Sequence, residues 1–208
     1  MYRSTCGRAL LASLCMIFGF AARAQVPGTA ERNPHTIELA FTYSPELTQL
    51  APGKCGCLWL QGGSLDASED YGRGFAHVFS VSGEHAGNIV PDVNFNKVEF
   101  LAGERYTHGA GGRGAFALRE QKRSVFSEGL LGGVHAFNGL FPAKKGFTPS
   151  ASGFAMRVGG GFELAVSRRI RLRIVQADYV LTTLPNNASN SQHDLRVAAG
   201  FIFRLDGD

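Results

Sequence analysis

The dominant period along the chain is two. At its C-terminal end Leu195, Val197, Ala199, Phe201, Phe203 and Leu205 alternate with Arg196, Ala198, Gly200, Ile202 and Arg204. An extended chain there has one apolar face and one face of arginine and small residues, so it separates two unlike environments. Met156, Val158, Gly160, Phe162, Leu164 and Val166 alternate in the same way with Arg157, Gly159, Gly161, Glu163 and Ala165. Ile170, Leu172 and Ile174 alternate with Arg171 and Arg173, after which Val175, Ala177 and Tyr179 take over the apolar parity from Gln176 and Asp178. One extra residue near 174–176 restores the alternation, which predicts a β-bulge.

The same period places a first strand at Ile37 to Tyr43, ended by Pro45, and further strands at 57–66, 75–82, 95–107 and 123–137. Connections at 68–74, 108–119 and 167–169 lie on one side, and 45–56, 83–94, 138–152 and 184–193 on the other; the second set is on average longer. No helical period appears after residue 24. Eight strands, several about ten residues or longer, match the length that crosses a bilayer at a tilt. Short turns on one side, longer loops on the other and an even strand number are features of bacterial outer-membrane barrels. The predicted fold is all-β, an eight-stranded antiparallel up-and-down transmembrane barrel over residues 36–205.

A barrel of eight strands has an interior just wide enough to be filled by side chains. Gly159, Gly161, Ala165, Ala198 and Gly200 share faces with Arg157, Glu163, Arg196 and Arg204, which predicts a lumen crossed by arginine–carboxylate pairs, with Glu38 and Asp178 as further members. The competing arrangement is a soluble lipocalin-like barrel with its greasy face inward. Glycine and alanine on the polar face argue against it, because a solvated exterior carries more Lys, Glu, Thr and Ser.

The stretches 154–170, 174–179 and 194–204 resemble the last three strands of the bacterial eight-stranded outer-membrane barrel family similar to the OmpA transmembrane domain, and Leu101 to Thr107 resembles its fourth strand. The resemblance implies outer-membrane localisation, contact with outer-membrane lipid and delivery by the barrel-insertion machinery. The C-terminal strand signal that machinery reads would fall on Gly200, Phe203 and Leu205. Asp206, Gly207 and Asp208 form a short tail where relatives commonly end on an aromatic residue.

Residues 1–24 read as a cleaved signal peptide: Arg3 and Arg8 precede a charge-free, greasy run of 12 residues from Ala9 to Phe20, and Ala22-Arg23-Ala24 fits the cleavage pattern. Twelve residues are too few to span a bilayer, which takes about 20. Residues 25–35, with Pro27 and Pro34, read as a disordered lead-in. Three of the 21 basic residues and none of the 17 acids lie in the leader, leaving 18 against 17. That near-neutral balance excludes a nucleic-acid footprint, which needs a clustered surplus of Lys and Arg.

Cys55 and Cys57 are the two cysteines left after the leader. A local disulfide, two free thiols and a two-thiolate metal site all remain open for this loop pair. The six histidines are scattered, with no H-E-x-x-H or G-x-S-x-G, and the glycine clusters at 109–114 and 159–161 lack a phosphate-loop ending. No catalytic, cofactor or metal residues are therefore assigned. The expected role is non-enzymatic, in envelope structure or surface interaction; the alternatives are a narrow pore or a lipid-modifying enzyme.

Overall fold

The computed structural model describes residues 36–48, 58–72, 74–90, 93–108, 123–144, 146–167, 169–186 and 190–205. The leader, the lead-in, Cys55 and Cys57, the glycines at 109–114 and the 206–208 tail lie outside the described residues. Among the described residues nine strands follow one another: β1 (Thr36–Tyr43), β2 (Glu46–Thr48), β3 (Leu58–Gly72), β4 (Phe75–Val90), β5 (Val93–His108), β6 (Arg123–Ala143), β7 (Gly146–Ala165), β8 (Ile170–Thr182) and β9 (Gln192–Leu205). Every pairing is antiparallel between neighbours, and the ring closes where β1 pairs with both β3 and β9, Phe41 lying opposite Leu65 on one side and Phe201 on the other.

The ring has eight staves, because β1 and β2 are two parts of one. Both pair with β3 and with β9. Between them Ser44 N–H donates to the Gly62 carbonyl at 2.8 Å, and the Pro45 carbonyl accepts from Val197 N–H at 3.0 Å. Proline removes one donor from the ladder, but alternation persists across it: Thr42, Ser44, Glu46 and Thr48 are all buried. β1 ends before Pro45 as expected, but the loop expected from residue 45 is corrected at its start, where β2 resumes the stave.

Other boundaries move outward too. Ser68 and Asp70, expected in a turn, are buried strand residues of β3, which runs to Gly72; Gly72 and Gly74 both have positive φ. The expected loops at 83–94 and 138–152 are largely strand: β4 runs to Val90, β6 to Ala143, and β7 begins at Gly146. Polar and glycine-rich composition concealed these extensions, because hairpin arms beyond the bilayer have no apolar outer face to sustain alternation. The bulge expected at 174–176 is present: pairing shifts between Arg173 and Gln176, and Ile174 and Val175 both point outward, 47% and 45% exposed.

Burial is inverted relative to a soluble protein. Phe41, Phe79, Phe100, Leu131, Phe154 and Phe201 are exposed on the outer wall, whereas Arg157, Asp178 and Arg196 are no more than 1% exposed inside it. The outward positions of β4 run Phe75, His77, Phe79, Val81, Gly83 and His85. Ten residues at about 3.3 Å each, tilted by about 40°, give a belt about 25 Å tall. Tyr71, Phe75 and Tyr106 ring its lower edge, and Tyr43, Trp59, His135 and Tyr179 stand near its upper one. This is a membrane β-barrel.

Candidate functional site

The lumen is filled by ionic layers. At mid-height the Asp66 carboxylate accepts from Ser80 at 2.7 Å and Arg173 Nη1 at 3.0 Å, with Arg105 and Arg157 guanidinium nitrogens at 3.6 and 3.8 Å. Glu128 accepts two bonds from Arg105, at 2.8 and 3.0 Å, and one from Gln176 at 2.7 Å. Glu163 accepts from Arg173 at 3.1 Å. Three carboxylates thus meet the guanidiniums of Arg105, Arg157 and Arg173 in a buried core, with Arg171 Nη1 also 3.6 Å from Glu163 Oε2, and the paired state is what makes such burial tolerable. Arg105 and Arg173 also lie over the Phe126 ring, at 4.9 and 4.7 Å from its centroid.

The sequence-predicted lumen residues fall in this network and its neighbours. Arg157 donates to Ser80 at 2.8 Å, and Arg196 bridges Asp178 at 2.7 Å and Ser64 at 2.8 Å. Glu38 lies nearer the chain ends, accepting from Arg204 at 3.3 Å and Arg171 at 3.4 Å. Glycine makes room for these groups. A Cβ on Gly159 would sit 2.2 Å from Asp178 Oδ1 and 2.4 Å from the Ala177 carbonyl. Of the proposed C-terminal signal, Phe203 and Leu205 point to the outside and Phe203 packs edge-on to Phe41, ring centroids 6.0 Å apart, while Gly200 backs onto Phe41 O and Thr42.

Sequence reasoning did not single out Asp66, Lys97, Glu99, Arg105 or Glu128, nor Glu46 and Glu84. The signal was parity: each occupies the same face as a buried small or apolar neighbour, such as Ser64 for Asp66 and Leu101 for Glu99. The upper lumen holds Glu46, Glu84 and Glu99 around Lys97, which bonds Glu46 and lies 3.0 Å from Glu99. Above it sits an apolar cap in which Leu60, Ala86, Phe95, Phe141 and Leu184 cluster, Phe95 and Phe141 with centroids 6.2 Å apart.

Phe141 belongs to the arm of β6 that continues past His135. Residues 136–144 and 146–151 form two paired arms standing about 20 Å beyond the belt; Asn138, at φ 59, carries the register break that turns Phe141 inward, while Leu140 and Phe147 are exposed. Beside it the β8–β9 loop is held by Gln192, whose side chain bonds both the N–H and the carbonyl of Leu184, at 2.9 and 2.8 Å.

No family model matches the chain, and no curated protein matches it in sequence. Among solved structures, neisserial surface protein A superposes with a TM-score of 0.57 at 11% identity, over 82% of this chain and 97% of that one. Ail, the attachment invasion locus protein of Yersinia pestis, solved in complex with the heparin analogue sucrose octasulfate, superposes at 0.53 with 15% identity, over 83% of this chain and 99% of that one. The fold is that of the eight-stranded outer-membrane β-barrels.

Several polar groupings interrupt the outer wall of this outer-membrane barrel among the described residues, including His85 Nδ1 at 2.8 Å from Asn96 Oδ1 and His135 Nδ1 at 2.8 Å from Ser152 Oγ. Near the upper girdle Ser191 Oγ lies 3.1 Å from His193 Nε2, whose Nδ1 is bonded to the Tyr179 hydroxyl. An i, i+2 spacing on one strand face permits this pair, but no motif in the sequence marks it. Near the lower girdle His77 Nδ1 lies 2.6 Å from Glu104 Oε1, and the Tyr71 hydroxyl donates to Glu104 Oε2 at 3.0 Å. No group of three or more His, Cys, Asp or Glu among the described residues converges to hold a metal ion.

Proposed function

We propose that the chain is a non-enzymatic, non-conducting outer-membrane anchor that displays its β6–β7 hairpin on the cell surface. The observation carrying this reading is the lumen itself: buried ion pairs at mid-height and the apolar cap above leave the interior occupied by side chains. Water and ions need a continuous polar path, which Leu60, Phe95, Phe141 and Leu184 interrupt. Both chain ends of the barrel, Gly72 and Gly74 and Ser167 share one rim, the periplasmic one by the usual asymmetry of such barrels. The hairpin then faces outward, with Leu140 and Phe147 at its exposed tip. Outer-membrane lipid would surround the belt, and the barrel-insertion machinery would read Gly200, Phe203 and Leu205.

The test combines topology with conductance. With Cys55 and Cys57 changed to Ser, Lys144→Cys is expected to react with a membrane-impermeant maleimide in intact cells, and the purified barrel to give no steady conductance in a planar bilayer. Labelling only after lysis would reverse the orientation, and stable single-channel steps would make the chain a pore.

A second reading, a lipid-acting hydrolase, draws on Ser191, His193 and Tyr179, which have the hydrogen-bond order of a nucleophile, a base and an orienting group. A neutral tyrosine in the third place gives less stabilisation to an imidazolium than a carboxylate does, so the anchor is preferred. Fatty-acid release from outer-membrane lipid by the wild type, lost in Ser191→Ala, would reverse that preference.

A further inference from the structure

Exposed apolar side chains on β6 and β7 do not stop at the belt. Beyond it Pro142 pairs with Phe147 and Ala143 with Gly146, past the pair of Phe141 with Thr148. Because side chains alternate, Leu140, Pro142, Phe147 and Pro149 share the face opposite the one that Phe141 turns onto Phe95 and the cap. Leu140 is 46% exposed and Phe147 62%, as open as Phe154 and Phe100 on the belt, at 46% and 52%. On the belt such side chains are covered by lipid. Leu140 and Phe147 stand in water, where an exposed apolar patch marks contact with a protein or a membrane.

The size and charge of the patch select between those partners. Two half-exposed side chains offer about 200 Å² of apolar surface, whereas a standard protein interface takes about 800 Å² from each side. A bilayer surface asks for less, since apolar area there adds to the attraction between basic side chains and anionic lipid. Lys144 supplies that charge: it is exposed beside the Ala143–Gly146 pair, and residues 129–162 contain no Asp or Glu. Phe147 lies one residue from that pair and Leu140 three, about 3 and 10 Å along the arms, within the depth of about 5–10 Å to which interfacial segments sink. A soluble polyanion would engage Lys144 and leave Leu140 and Phe147 in water.

We propose that the far end of these two arms docks onto the anionic lipid surface of an apposed membrane. Phe147 and Leu140 enter the boundary between headgroups and acyl chains, and the Lys144 ammonium stays among the phosphates at the end of its flexible stem. The contact of Phe141 with Phe95 in the cap holds the arm, so the patch is presented with little left to order on binding. The proposal rests on the reading above that these arms face away from the cell.

The experiment uses the full barrel refolded into phosphatidylcholine nanodiscs and co-sedimented with separate sucrose-loaded vesicles, either of phosphatidylcholine alone or of an equal mixture with phosphatidylglycerol. Binding to the mixed vesicles is expected to exceed binding to the neutral ones at least about fivefold. Leu140→Ser combined with Phe147→Ser is expected to weaken it about tenfold or more, and Lys144→Glu to remove the preference for phosphatidylglycerol. No binding by the wild type, equal binding to the two vesicles, or undiminished binding by the double variant would overturn the proposal. Undiminished binding that a soluble sulfated polysaccharide displaces would make the arms a polyanion site instead. If the double variant loses its heat-dependent gel shift, Lys144→Glu decides, since that side chain is exposed; a retained lipid preference there would sink the docking. Nanodiscs leave both rims open, so failure here refutes the contact, whereas failure of Lys144→Cys to label in intact cells refutes only the orientation.

Discussion

Asp66 is the residue whose neutralisation most directly tests the ionic lumen. It is 2% exposed and faces three guanidiniums, with Arg173 Nη1 at 3.0 Å. With Glu128 and Glu163 it faces Arg105, Arg157 and Arg173, and Glu163 also lies 3.6 Å from Arg171. Asp66→Asn is nearly isosteric, keeps an acceptor for Ser80 and leaves one uncompensated positive charge in the lumen. Breaking a buried pair by removing one partner costs about 3–5 kcal/mol. The retained acceptor puts Asp66→Asn at the low end, about 3 kcal/mol, or about a hundredfold in the folding equilibrium. For a urea slope of about 1–3 kcal/mol/M the midpoint falls by about 1–3 M.

The assay is reversible urea unfolding from lipid vesicles, followed by fluorescence of Trp59, the single tryptophan, which is half-exposed on the outer wall. Gel mobility without boiling provides a second probe. A double-mutant cycle with Arg173→Gln is expected to return a coupling above about 1 kcal/mol, since the two groups are in contact. A midpoint within error of wild type, or additive effects in the cycle, would refute the argument and mean that lumen water already neutralises these charges.

Two further outcomes follow from the wall. Val81→Arg, near the middle of the belt, is expected to cost about 2–4 kcal/mol in the same assay, whereas Phe75→Arg at the lower girdle costs about 0–1 kcal/mol beyond its lost packing; equal costs would contradict the placement of the belt. At the closing seam, a Cβ on Gly200 would lie 2.0 Å from the Phe41 carbonyl oxygen, so Gly200→Val is expected to abolish the heat-dependent gel shift both in cells and after refolding from urea. Phe203→Ala, on the outer face, is expected to slow assembly in cells while refolding normally in detergent. A matching defect in both settings would assign Phe203 to packing rather than to recognition.

Much of the barrel is legible in strands β7, β8 and β9, because each crosses the belt with unbroken contrast between a lipid face and a lumen face. Even the bulge in β8 can be read there, since one extra residue swaps the parity of every residue that follows. In β5 and β6 the contrast fades. Leu101 and Leu130 face the lumen beside Glu99 and Glu128, and Gly129 and Gly133 face outward, so hydrophobicity no longer reports direction. The Glu128 and Asp66 partnerships were therefore hidden, although both residues lie in recognisable strands.

What the sequence by itself determined was the inverted barrel and the inward facing of Arg157 and Arg196, because a period of two is a local property that survives without knowledge of partners. What only the tertiary structure decided was who meets whom. Arg173 reaches Asp66 across 107 residues, and Arg196 reaches Ser64 across 132. Phe141 leaves its own hairpin arm to cap the lumen against Phe95. Closure of the ring sets these pairings, through the register between β1 and β9 and the shifts at each bulge. No periodicity along one strand contains that register, so the ion network and the cap exist only once all eight staves are in place.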